Sequence, residues 1–178
     1  MSIWWSLHLR REAASVPLAR RLLLGTMETA GVDPDVSYDL SVALSEACAN
    51  AVEHGGCTAR GDSAEAYRVT AYLDGEKCRI EVADSGPGFP SGRVRSALHL
   101  SDGKGNGSGT GEPLNGGDSD SGIRGHGADT EAEHGRGLWL IQELADHVHI
   151  GDKPGRGGTV VSFDKILKWR DNAPLALT

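Results

Sequence analysis

What this sequence lacks narrows its function before any motif is read. Cysteine is scarce: Cys48, Cys57 and Cys78 are an odd three, with no CxxC pair. That argues against a disulfide framework and against a zinc finger. No run of 18 apolar residues occurs, so no membrane-spanning helix is expected. The opening MSIWWSLHLRRE holds only a short apolar-leaning run, already interrupted by His8, Arg10 and Arg11, and has no leader-like cleavage site. Basic residues are outnumbered, 18 against 25 acids, giving a net charge of −7 and a pI near 5.4. Without a basic stripe, nucleic acid is not the expected partner. There is no internal repeat. These absences together predict a reduced, cytoplasmic, soluble protein.

Glycine is present in excess. The chain has 25 in 178 residues, about twice the usual share. Ten of them fall between Ser101 and Gly127. From Ser101 to His134 there are seven acids and two bases, so the same stretch carries most of the net charge. Such a composition cannot bury a core. It predicts one domain over residues 1–178, with a Gly-rich acidic insertion at residues 91–134.

The flanking sequence is periodic. Ile3, Trp5, Leu7 and Leu9 alternate with Trp4, Ser6 and His8, as in a strand with one buried face. One of the two adjacent tryptophans should therefore be buried and the other exposed. Val16, Ala19, Leu22, Leu23 and Met27 recur at helical spacing, and Gly31 stops that helix. A second helix, capped by Asp35 or Ser37, would bury Leu40, Ala43, Leu44, Ala47, Cys48 and Ala51. Tyr67–Leu73 and Lys77–Ala83 flank Asp74-Gly75, a hairpin signal. A short helix is expected from Gly137 to Ala145, strands at Val148–Ile150 and Thr159–Phe163, and a helical turn or two at Lys165–Arg170. Hairpins mixed with helices predict an α+β two-layer sandwich: a mixed, mostly antiparallel sheet with helices on one face.

Three short stretches carry candidate chemistry. Glu46 and Asn50 stand one helical turn apart on one face, beside the apolar stripe. A carboxylate and an amide so placed can hold magnesium or a water, and Glu46 can take a proton from a hydroxyl. An isolated pair of this kind is also ordinary helix surface. Asp84-Ser-Gly86-Pro-Gly88-Phe follows a strand. Its glycines permit close backbone approach, and its Asp can accept a hydrogen bond from an exocyclic amine such as adenine N6. The competing reading is a plain strand-ending turn. Gly135-Arg136-Gly137-Leu138 precedes the expected helix, and amides at a helix start bind phosphate.

Glu-x-x-x-Asn, then Asp-x-Gly-x-Gly, then Gly-x-Gly, in this order, resembles the N, G1 and G2 boxes of the GHKL (histidine-kinase-like, Bergerat) ATPase superfamily over nearly the full length. The words SVALSEACANAVEHGG and DSGPGF resemble its anti-sigma-factor serine/threonine kinase branch. The resemblance implies a Bergerat fold that binds ATP and Mg²⁺. Glu46 is then the general base and Asn50 the magnesium ligand. Asp84 reads the adenine amine, with the hydroxyl of Thr159 in support. Gly86 and Gly88 shape the pocket floor. Gly135, Arg136, Gly137 and Leu138 lie against the phosphates, with His54 near them. The resemblance further implies an anti-sigma factor that phosphorylates a serine of a small STAS-type anti-anti-sigma protein, sequesters a sigma factor, and pairs as a homodimer. The insertion at 91–134 would occupy the place of the ATP lid. The alternative is a regulatory module that holds a partner without phosphoryl transfer.

For the cysteines the expectation is packing rather than redox sensing: Cys48 in a helix, Cys78 in a strand.

Overall fold

In a computed structural model the structure describes residues 2–54, 65–84, 128–153, 158–171 and 173, and for 128–135 the backbone alone. In chain order the elements are β1 (Ile3–Arg10), α1 (Ser15–Ala30), α2 (Pro34–His54), β2 (Ala66–Leu73), β3 (Lys77–Ala83), α3 (Ala128–Leu144), β4 (His147–Asp152) and β5 (Thr159–Ile166). The five strands form one sheet in the order β1-β2-β3-β5-β4, and every pairing is antiparallel.

The sheet has a dry face and a wet face because its strands alternate. Opposed pairs Val69–Val82, Ala71–Ile80 and Ile80–Phe163 put their side chains inside. The outer face carries Thr70, Glu81, Arg79 and Asp164, with an Arg79–Asp164 pair at 3.5 Å. In β1 the alternation resolves the tryptophans: Trp5 is half-buried and Trp4 is 66% exposed, opposite the exposed Tyr72.

The helices cover the dry face, with α2 packed between α1 and α3. All six apolar residues expected on the buried stripe of α2 are buried. In α1, Ala19, Leu23 and Met27 face the core, whereas Leu22 is 38% exposed and lies on the outer side of the helix. Gly31 ends α1 in the left-handed region (φ 84°), and its N–H bonds back to Met27 and Glu28.

Three local expectations are corrected. The cap of α2 is Asp33, whose Oδ1 accepts from Asp35 N at 2.9 Å and Val36 N at 3.4 Å, leaving Pro34 in the first turn where its missing N–H costs nothing. The segment Lys165–Arg170 is not helical. β5 continues to Ile166, and the chain then straps across the α1–α2 turn, with Asp33 N bonded to Lys168 O and Arg170 N to Gly31 O. The last helix begins at Ala128 rather than Gly137. Residues 128–134, expected within the insertion, are its first turns. The rest of the expected 91–134 insertion, and Cys57, lie outside the described residues. Among the described residues no helix is long and apolar enough to cross a membrane.

Candidate nucleotide site

The faces of α2 are set by its sequence spacing. While Leu40, Leu44, Ala47 and Ala51 turn to the core, Glu46 and Asn50 come out beside them, half-buried, toward α3. The helix α3 reaches them through Gly137. A Cβ at that position would meet Glu46 Oε2 at 3.0 Å, Asn50 Oδ1 at 3.6 Å and Asn50 Nδ2 at 3.8 Å. The glycine is therefore what lets two helices approach at the polar pair. Its neighbour Leu138 points the other way and is buried in the core, while Arg136 is exposed.

These positions revise one expectation. Gly135, Arg136, Gly137 and Leu138 lie inside α3, not before it. Amides in a helix interior are committed to carbonyls four residues back, so no helix N-terminus stands at these residues to bind an anion. Gly137 acts here by allowing approach.

Glu46, Asn50, Arg136 and Gly137 line one cavity of about 260 Å³, together with Ala49, Glu53 and Leu140. Glu53 was not singled out from the sequence, although it lies seven residues after Glu46 and so on the same helix face. Inside this cavity wall, Asn50 Nδ2 is buried and has no hydrogen-bond partner among the described residues. An orphaned buried donor costs about 1–3 kcal/mol, so in this pocket it marks a place where a ligand acceptor fits. His54, the last described residue of α2, is exposed and sits 3.3 Å from Glu53.

Asp84 and Thr159 form a second cluster, at the ends of β3 and β5. Asp84 is 8% exposed and Thr159 6%. Asp84 N donates to Thr159 O at 3.0 Å, and Thr159 N donates to Asp84 Oδ1, also at 3.0 Å. The contact that Thr159 makes with the Asp84 carboxylate is through its backbone N–H. Lys153 was missed altogether: its Nζ donates to Asp84 O at 2.6 Å. No local pattern announces a lysine after a strand whose reach spans the sheet. Gly86 and Gly88 lie outside the described residues.

Cys48, on the inner face of α2 between Glu46 and Asn50, takes no part in the cavity. Burial pushes its thiol up to about 12, against a smaller opposing effect of its hydrogen bond to Tyr67. Cys78 is buried in β3 and burial raises its thiol as well. Both are packing residues, as expected.

The sequence profile of the histidine kinase-like ATPase domain matches residues 9–165, most of the chain and both clusters. The chain belongs to that family. Among curated relatives, the serine-protein kinase RsbW of Bacillus pumilus is 31% identical over 85% of this chain and 78% of its own length. RsbW of Staphylococcus aureus is 28% identical, covering 88% and 82%. Solved structures of similar fold include the RsbU and RsbW domains of a Mycobacterium tuberculosis protein, with a TM-score of 0.52 and 20% identity over 92% of this chain. This chain spans about a third (33%) of that one. The Pseudomonas aeruginosa SiaB–SiaC complex matches with a TM-score of 0.54 and 12% identity, covering 91% of this chain and 89% of its counterpart. At these identities the structures speak for the fold, the α+β sandwich expected from the sequence.

Proposed function

We propose that this protein is an ATP-dependent serine kinase and anti-sigma factor that phosphorylates a small STAS-type anti-anti-sigma protein. The observation that carries this reading is the Glu46–Asn50 pair held against Gly137, with the Asn50 amide nitrogen unpartnered among the described residues in the cavity wall. The RsbW relatives, named as serine-protein kinases, support the kinase part of it. The donor set suits magnesium and a triphosphate: carboxylate and amide oxygens on one side, the Arg136 guanidinium on the other.

Each residue then has a task. Asn50 offers an amide oxygen to the metal. Glu46 accepts the proton of the attacking serine hydroxyl. Arg136 balances phosphate charge at the cavity, with His54 at the end of α2 as a further contact. Gly137 keeps a side chain out of the space between α2 and α3, Gly135 stands two residues before it in α3, and Leu138 anchors α3 in the core. The Asp84 carboxylate accepts from the adenine amine, held in place by Thr159. Magnesium, when bound with ATP, neutralises phosphate charge. A sigma factor would be the second partner. The exposed Trp4, opposite Tyr72 on the outer face at the edge strand, supports pairing of two copies.

The test is incubation with labelled ATP, magnesium and a panel of STAS-type proteins, beside a Glu46→Gln control. Serine-bound label with the wild type and its loss in the control are expected. Absence of ATP binding by calorimetry would sink the reading, and transfer that survives the control would remove Glu46 as the base.

A further inference from the structure

The contact between Asp84 and Thr159 is not an ordinary ladder pair. The register of β3 and β5 sets Asp84 directly opposite Thr159, one step beyond Ala83–Val160. Asp84 N donating to Thr159 O makes this a hydrogen-bonded position of the antiparallel ladder. At such a position the return bond runs from Thr159 N to the Asp84 carbonyl. Here it runs to the Asp84 carboxylate instead, at 3.0 Å. The side chain has taken the place of its own backbone carbonyl.

A displaced carbonyl at a buried strand end needs another donor. Lys153 supplies it, with Nζ 2.6 Å from Asp84 O. Lys153 is itself tied by its backbone N–H to Gly158 O, at 2.9 Å, where the chain enters β5 with φ 109°. The lysine thus reaches over the start of the strand that separates it from Asp84.

We propose that Lys153 is a positioning residue for base recognition: by holding the Asp84 carbonyl out of the ladder, it leaves the Thr159 N–H to the Asp84 carboxylate and so fixes the carboxylate's aim. The inference rests on the reading of Asp84 as the adenine acceptor. Without Lys153 the carbonyl returns to the Thr159 N–H, an ordinary ladder bond, and the carboxylate loses that bond. The strand end survives, but the base reader no longer has one orientation. Lys153 therefore acts on discrimination between a purine with a 6-amino donor and one with a 6-oxo acceptor, not on the phosphate chemistry at Glu46.

The experiment measures ATP and GTP binding to the wild type, Lys153→Met and Lys153→Arg, with KM for ATP and kcat for phosphoryl transfer. Lys153→Met is expected to weaken ATP binding about tenfold, leave GTP binding unchanged, and raise KM while kcat stays within twofold. Lys153→Arg, which still reaches the carbonyl with a charged donor, is expected to restore ATP binding to within threefold of wild type. Lys153→Leu replaces the Met variant if the latter melts below the assay temperature. Wild-type ATP affinity in the Met or Leu variant overturns the proposal and leaves the site reading standing. Equal losses for ATP and GTP, or a fall in kcat, reduce Lys153 to a structural residue and also overturn it. A wild type that binds no ATP ends the site reading and this proposal together.

Discussion

Gly137 of α3 faces Glu46 of α2 with room for a hydrogen and little more: a Cβ there would lie 3.0 Å from Glu46 Oε2. Real Cβ atoms seldom come so close to a neighbour, so Gly137→Ala must shift either the carboxylate or the helix. A glycine in a helix interior also costs about 1 kcal/mol relative to alanine. The two effects oppose each other in stability but not in function. Gly137→Ala is expected to melt at or above the wild-type temperature while phosphoryl transfer falls at least tenfold. Calorimetry beside a transfer assay checks this; a variant that loses stability and activity together would show that packing, not Glu46, had been disturbed.

The Asn50 amide nitrogen, without a partner among the described residues, gives a second stability–function split. A buried donor without an acceptor costs about 1–3 kcal/mol. Asn50→Leu keeps the approximate volume and removes that donor. Its resistance to urea is expected to rise by roughly 1 kcal/mol, while magnesium-dependent ATP binding is lost. Unfolding curves and titration calorimetry on the same preparation decide it. A destabilised Asn50→Leu would mean that the amide is satisfied in solution.

The α2 stripe and the site pair were both legible in sequence, because one helical period fixes both: Leu40, Leu44 and Ala47 define the inside, and Glu46 and Asn50 then have only one place to be. The hairpin around Asp74 was legible because the turn is local chemistry, with Asp74 Oδ1 accepting from Glu76 N and Lys77 N, both at 2.8 Å. What failed was what depends on distant chain. The helix from Ala128 carries Gly135 and Gly137, which read locally as breakers, yet it runs through both, and at Gly137 α2 leaves little space for a side chain. Lys165–Arg170 has helix-compatible composition but is claimed by β3 and the α1–α2 turn, contacts more than a hundred residues away in part. Lys153 has no pattern at all; its role exists only once three strands are side by side.

Cys48 makes stability depend on alkaline pH. Its thiol, at about 12 in the folded protein, lies above its unfolded value near 9.0, chiefly through burial. The protonated form is the native one, so its stabilising contribution is complete below about pH 9 and is lost as pH rises through the folded value. Cys48→Ala is expected to lower stability at neutral pH, through the lost packing, and to flatten the decline of stability between pH 9 and 12. Urea midpoints across that range test it, and an unchanged slope would overturn it. The same burial keeps Cys48 and Cys78 unreactive toward a thiol reagent at pH 8 until the protein unfolds.

Ser15 and Tyr67 form a directed chain beneath the site helix. The Ser15 hydroxyl donates its only proton to Glu12 O at 2.8 Å, so in the 2.7 Å contact with Tyr67 it must accept, and the Tyr67 hydroxyl donates. The chain joins the start of α1 to β2. Tyr67→Phe removes the donor and strands the Ser15 oxygen in the core, at a cost of about 1–2 kcal/mol. Because each hydroxyl serves the other, Ser15→Ala and Tyr67→Phe are expected to be non-additive, with a coupling of at least about 0.5 kcal/mol in a double-mutant cycle. Strict additivity would show that the two hydroxyls are not bonded to one another, and that the link between α1 and β2 is packing alone.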